Sequence, residues 1–123
     1  IDDESDIVNL FRDALSKING LSIFTFTDPM VALEHFKINK DAYALIISDL
    51  RMPGINGTDL VYKIKKENPL VRTLLMTAFE VDDKVFEEYV KNDIIDGFIQ
   101  KPVKLRDLLS EVLKQVNIYK RIK

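Results

Sequence analysis

Along this chain of 123 residues the apolar positions recur in two rhythms. Ile7, Leu10, Phe11, Ala14, Leu15 and Ile18 are spaced by three and four, which lays them along one stripe of a helix, and Asn19-Gly20 supplies the stop. Leu21 to Phe26 is a short β-branched and aromatic run that reads as a strand. Asp28-Pro29 then offers an N-cap and a first helical residue ahead of Met30, Leu33 and Phe36. Tyr43 to Ser48 is almost unbroken apolar sequence ending at Asp49, as in a strand covered on both faces. The loop Met52-Pro53-Gly54-Ile55-Asn56-Gly57 contains the breakers, and Leu60, Val61 and Ile64 predict a helix that Asn68-Pro69 closes. Val71 to Met76 and Ile94 to Ile99 predict two more strands, with Val85, Phe86, Tyr89 and Val90 as a helix face between them. Leu105, Leu108, Leu109, Val112, Leu113 and Val116 mark the last helix.

One helix followed by four strand–helix units predicts an α/β fold, a doubly wound parallel sheet with helices on both faces. Ligands in such sheets bind beyond the carboxyl ends of the strands. Those ends carry Asp49, Thr77 and Lys101. Asp2 and Asp3 stand just before the first helix, where a fifth strand would finish, and so join the same edge.

Composition narrows the chemistry. Hydrophobic residues at 46% and charged residues at 31% fit one self-sufficient domain, taken as residues 1–123. The absence of Cys and the presence of a single His, His35, exclude thiol nucleophiles and multi-histidine metal centres, so a metal here must sit on oxygen. His35 itself is expected at a solvated position on its helix. With 18 basic against 20 acidic residues the chain lacks the footprint of a nucleic-acid binder. It shows neither an apolar stretch long enough to span a membrane nor a secretory leader, so a cytoplasmic location is expected.

Three carboxylates on one edge repel, by about 4 kcal/mol for two charges about 4 Å apart at an effective dielectric of about 20. A positive partner must compensate. Carboxylates without His or Cys suit a hard ion such as Mg²⁺, and Lys101 supplies a second positive charge. Such a site suits phosphoryl transfer onto a carboxylate. Metal and ammonium neutralise the phosphoryl oxygens, Asp49 attacks in line, and Thr77 offers a hydroxyl donor.

Four motifs fall at the predicted strand ends: Asp2-Asp3-Glu4, Asp49-Leu50-Arg51-Met52-Pro53-Gly54 with Gly57, Met76-Thr77-Ala78, and Phe98-Ile99-Gln100-Lys101-Pro102. In that order and over nearly the whole chain, they resemble the receiver domain of two-component response regulators. The resemblance implies a phosphorelay domain in which Asp49 accepts a phosphoryl group from the phosphohistidine of a histidine kinase or phosphotransfer protein. It implies self-catalysed transfer rather than enzymatic turnover. Asp3, Asp49 and the backbone carbonyl of Arg51 would hold Mg²⁺, with Asp2 acting through a metal-bound water. Lys101 would contact the phosphoryl group, with a cis peptide bond to Pro102. Thr77 and the aromatic Phe98 would be the switch residues, re-setting the face that the last strand and its flanking helices present to an output domain or effector protein. The implied partners also include a second receiver in a phosphorylation-dependent dimer, but no membrane and no nucleic acid contacted directly.

A flavodoxin-like sheet of five strands in the order 2-1-3-4-5 would place a strand of about five residues before Asp2, in the sheet interior. The expectation is therefore a truncated first strand, with residues upstream of Ile1 in the natural protein. Arg51 and Phe79 stand two places after Asp49 and Thr77, positions that in similar domains flank the path of the water that hydrolyses the acyl phosphate; both are bulky, so the resemblance implies a long-lived phosphoryl state. The competing readings are an interaction-only receiver-like domain that never carries phosphate, a phosphohydrolase with an aspartyl nucleophile, and a nucleotide-binding flavodoxin-like protein. Asp49-Leu50-Arg51 lacks the second Asp of a D-x-D motif, and no Gly-rich phosphate loop is present, which counts against the last two.

Overall fold

The computed structural model describes residues 1–78 and 84–123, with the backbone alone for residues 84–86 and 89. The described elements run α1 (Ser5–Leu15), α2 (Pro29–Ile38), β1 (Leu45–Asp49), α3 (Gly57–Glu67), β2 (Arg72–Thr77), α4 (Lys84–Lys91), β3 (Gly97–Gln100) and α5 (Leu105–Ile122). Local chemistry sets their ends. Asp28 accepts the Met30 N–H at 2.9 Å and Pro29 opens α2, while Asn56 accepts the Asp59 N–H at 2.9 Å to open α3. α1 stops at Leu15, where Ser16 Oγ turns back onto the Arg12 carbonyl at 2.5 Å, and Gly20 takes the positive φ of 87° that completes the turn. Ile18 therefore lies beyond the helix, although it packs on the same core.

The strands pair in parallel in the order β1-β2-β3, with Asp49 opposite Met76 and Thr77 opposite Gln100. Their carboxyl ends share one edge, as the sequence predicts. Helices cover both faces. Phe11 and Leu15 of α1 and Leu108, Val112 and Val116 of α5 pack on Leu74, Met76 and Ile99 on one side. Leu33 and Phe36 of α2 and Leu60 and Ile64 of α3 pack on Ile46 and Val71 on the other. A third cluster joins Val61, Leu75 and Ile95.

Two strand expectations need correction. The five-stranded sheet is not observed: among the described residues there are three strands, and Leu21 to Phe26 has no regular strand structure. A strand exists through its ladder, and among the described residues the groups between this segment and β1 that offer one are Ile1 and Asp2. The Asp2 N–H donates to the Phe26 carbonyl at 3.2 Å. On its other side the Ile1 nitrogen donates to the Ile47 carbonyl at 2.6 Å, and the Asp49 N–H donates to the Ile1 carbonyl at 2.8 Å. The last strand begins at Gly97 rather than Ile94, because the Asp96 carboxylate, not a backbone carbonyl, takes the Thr73 N–H at 2.8 Å. Of the helix face predicted after Thr77, Val90 is exposed, and the side chains of Val85, Phe86 and Tyr89 lie outside the described residues.

Candidate functional site

Asp49 closes β1 and is buried, 8% exposed. Its Oδ1 accepts the Leu50 N–H at 3.0 Å and lies 2.9 Å from the Lys101 ammonium. Lys101 follows β3; its N–H donates to the Thr77 carbonyl at 2.8 Å, which ties the two strand ends together, and its bond to Pro102 is cis, as the resemblance implies. The same ammonium lies 3.5 Å from Asp2 Oδ2. Burial alone would lower the Lys101 pKa, but the hydrogen bond to Asp49 and the charges of Asp2 and Asp49 outweigh it and hold the group above its ordinary value.

Asp2 is 1% exposed, and its Oδ1 accepts the Glu4 N–H at 3.0 Å. Its Oδ2 is buried without a hydrogen-bond partner; the 3.5 Å approach of Lys101 is an ion-pair distance, too long to satisfy it. Asp3 is exposed at the same edge, and one oxygen from each of Asp2, Asp3 and Asp49 lies within 4.8 Å of the others. An unsatisfied buried carboxylate oxygen inside an all-oxygen triad fits a hard divalent cation such as Mg²⁺. Next to Asp2, the Ile1 nitrogen is buried and donates to the Ile47 carbonyl.

Thr77 ends β2, buried at the same edge. Its carbonyl also accepts the Gln100 side-chain amide at 3.1 Å. Arg51 sits in the loop after Asp49 with its residue surface exposed. Phe98 of β3 is half-buried against the Val61, Leu75 and Ile95 cluster. The structure thus brings Asp2, Asp3, Asp49, Thr77 and Lys101 to one edge, with Arg51 and Phe98 on the adjoining loop and strand. Phe79 lies outside the described residues.

His35 departs from expectation. It is half-buried rather than solvated, its Nε2 paired with the Tyr43 hydroxyl and its ring against Phe24 and Phe26. Burial raises the pKa of Tyr43. The sequence reading named Gly57 in its motif without foreseeing its close approach to β1, and it missed the Asp96 network. Gly57, the first residue of α3, presses so closely on β1 that an added Cβ would fall within 3.0 Å of the Asp49 carbonyl; its signal was a glycine directly after the Asn56 cap. Asp96, with a side chain 5% exposed, pairs with Lys65 at 2.9 Å and Arg72 at 3.3 Å, and Arg72 Nε donates to Gln115 Oε1 at 2.8 Å. The signal for Gln115 was a polar residue within the apolar stripe of α5.

The family model for the response regulator receiver domain matches residues 1–113. The chain is 30% identical over 112 residues to the regulatory protein VanRB of Enterococcus faecalis, covering 91% of this chain and 48% of that protein. It is 27% identical over 119 residues to the DNA-binding transcriptional regulator NtrC of Escherichia coli, covering 97% of this chain and 24% of that one. The chain therefore spans half or less of the length of these curated relatives. Among solved structures it resembles a response regulator receiver domain protein from Clostridium thermocellum, with a TM-score of 0.85, 25% identity and coverage of 99% and 94% of the two chains. A CheY-like receiver domain protein from Methanospirillum hungatei shares the fold at a TM-score of 0.84 and 23% identity, covering 99% and 94%. Among the described residues no helix is long and apolar enough to cross a membrane.

Proposed function

The chain belongs to the response regulator receiver domain family, whose members are signalling domains rather than turnover enzymes, and from that membership we propose that residues 1–123 form a phosphoacceptor switch working in the cytoplasm. Asp49 takes a phosphoryl group from the phosphohistidine of a histidine kinase or phosphotransfer protein. An Asp49 Oδ–P bond forms as the P–N bond breaks, and the electron pair leaves with the imidazole, which takes up a proton. The observation that carries this reading is the Lys101 ammonium 2.9 Å from Asp49 Oδ1, inside a carboxylate triad whose Asp2 Oδ2 lacks a hydrogen bond.

Asp3 and Asp49, with the Arg51 carbonyl, would hold Mg²⁺ directly and Asp2 would hold it through water; bound there, the ion neutralises the phosphoryl oxygens. Lys101 exchanges part of its contact with Asp49 for the incoming phosphoryl oxygens and offsets their charge. Thr77 donates its hydroxyl to the new group, and Phe98 re-packs, shifting an existing equilibrium at the face made by α4, β3 and α5. That face meets an output domain or effector, or a second receiver. The three bonds of Ile1 and Asp2 support the five-strand order 2-1-3-4-5, with Ile1 and Asp2 as the carboxyl end of the interior strand.

Intact-mass measurement after incubation with acetyl phosphate, with and without Mg²⁺, tests the assignment. Wild type should gain one phosphoryl group only with Mg²⁺, and Asp49→Ala none. No gain by wild type under either condition would leave the interaction-only reading in its place.

A further inference from the structure

The three methionines of the chain differ in their access to solvent. Met76 is buried in the core, and Met30 is exposed at the start of α2. Met52 stands between these extremes, half-buried in the loop after Asp49 and packed on the cluster that includes Leu60 and Ile64. It also lines an open groove of about 610 Å³, shared with Met30, Ile55 and Tyr62, through which small solutes reach it. Beside Met52 lies the fully buried Ser48. The Ser48 hydroxyl donates to the Asp49 carbonyl at 2.9 Å, and Met52 Sδ stands 4.0 Å from the same hydroxyl oxygen. A hydroxyl has one proton to give and a thioether is a weak acceptor, so the carbonyl holds it. That carbonyl belongs to the residue whose side chain meets Lys101, and Gly57 presses on it from α3.

We propose that Met52 is a modification site for peroxide oxidants, and that its sulfoxide draws the Ser48 hydroxyl off the Asp49 carbonyl. The site goes beyond the phosphoacceptor reading; only its effect on phosphoryl uptake rests on that reading. The chemistry is a two-electron oxygen transfer. A sulfur lone pair attacks one oxygen of hydrogen peroxide, the S–O bond forms as the O–O bond breaks, and the departing hydroxide takes the proton left on the transferred oxygen and leaves as water. Sulfur is oxidised and the peroxide is reduced. The new oxygen is a far stronger acceptor than the thioether and enters the 4.0 Å gap to Ser48. Set against Leu60 and Ile64 it costs free energy until it is bonded, and the Ser48 hydroxyl is the donor at hand. The Asp49 carbonyl then loses that proton, and the backbone that aims the acceptor carboxylate loosens. Ser48 is thus a positioning residue for Asp49, and Met52 sets whether it acts. Methionine sulfoxide reductases reverse the step.

The test uses Met30→Leu, which removes the exposed sulfur, alone and combined with Ser48→Ala. After limited treatment with hydrogen peroxide, peptide mass spectrometry locates the added oxygen. The carbon chemical shift of the Asp49 carbonyl reads its hydrogen bond by NMR, and phosphoryl uptake from acetyl phosphate with Mg²⁺ is timed separately. Met52 should gain oxygen well before Met76. In Met30→Leu the Asp49 carbonyl shift should then move and uptake should slow by roughly three- to tenfold, the worth of one hydrogen bond. With Ser48→Ala added, both readouts should start near their oxidised values, and oxidation of Met52 should change neither further. Oxidation no faster at Met52 than at Met76 overturns the proposal. So does an equal fall in uptake with and without the Ser48 hydroxyl, which marks lost packing instead. Should Ser48→Ala not fold, Met52→Gln decides, because its side-chain oxygen is a standing acceptor: a moved Asp49 carbonyl shift supports the proposal and an unchanged one overturns it. Absent uptake before any oxidation, with a carbonyl shift that still follows the sulfoxide, would sink the phosphoacceptor reading and leave the oxidation site standing.

Discussion

Replacing Gly57 with alanine adds one methyl group at the point where α3 meets the end of β1. A Cβ there would fall inside 3.0 Å of the Asp49 carbonyl, 2.9 Å from Leu75 Cδ2 and 3.0 Å from Leu50 Cα. The first and last of these are backbone, and the Gly57 N–H already holds the Leu50 carbonyl at 2.7 Å, so strand end and helix start cannot part without losing that bond. The Asp49 carbonyl would have to withdraw by roughly half an ångström or more in an interior packed at crystal density. Alanine gains up to about 1 kcal/mol over glycine in a helix interior, and less at its first position. Overpacking costs about 1–3 kcal/mol and more where backbone is the obstacle, so the clash wins and a net loss of about 2 kcal/mol is expected. Urea denaturation measures it directly. Gly20→Ala is the control: its φ of 87° makes alanine costly, but nothing lies within 4 Å of the added methyl. Both variants should lose stability, but only Gly57→Ala should also slow phosphoryl uptake at Asp49, because only there does the acceptor's backbone move. A Gly57→Ala midpoint equal to wild type would refute the reasoning.

Further outcomes follow from the ion pairs. Lys101 has its pKa raised in the fold, so its contribution is fully present below the unfolded value of 10.5 and is lost as pH climbs through the higher folded value. The difference in urea midpoint between wild type and Lys101→Met should therefore hold steady through neutral pH and shrink only above about pH 10.5; shrinkage near pH 7 would contradict the assignment. Asp96→Ala leaves Lys65 and Arg72 facing a buried gap and should cost roughly 3–5 kcal/mol by chemical denaturation. A loss under 1 kcal/mol would show that the network is not carrying the elements it joins.

Much of this molecule was legible in its sequence because its elements are separated by unambiguous punctuation. Asp28-Pro29 and Asn56-Gly57 are the caps that open α2 and α3, and the apolar run ending at Asp49 is β1. Placing Asp49, Thr77 and Lys101 together needed only parallel strands, since parallel pairing sends every carboxyl end the same way. Leu21–Phe26 carries no strand ladder here, because β propensity says that a segment suits a sheet, not that a partner lies beside it. The start of β3 was misread because Ile94 and Ile95 look like strand, while the Asp96 side chain substitutes for the ladder one residue later. His35 could not be placed from its own helix, since Phe24, Phe26 and Tyr43, which enclose it, come from other elements. The roles of Gly57 and Gln115 depend on close approaches that no spacing rule contains.

The Asp96 network has a mechanical consequence. Lys65 of α3, Arg72 and Thr73 of β2, Asp96 at the foot of β3 and Gln115 of α5 are stitched together at the amino ends of the strands. The acidic cradle lies at the opposite margin, where Lys101 bridges Asp2 and Asp49. The sheet is thus clamped at both ends of its strands, by the Asp96 ion pairs at one margin and, at the other, by Lys101 with its N–H on the Thr77 carbonyl and its ammonium between Asp2 and Asp49.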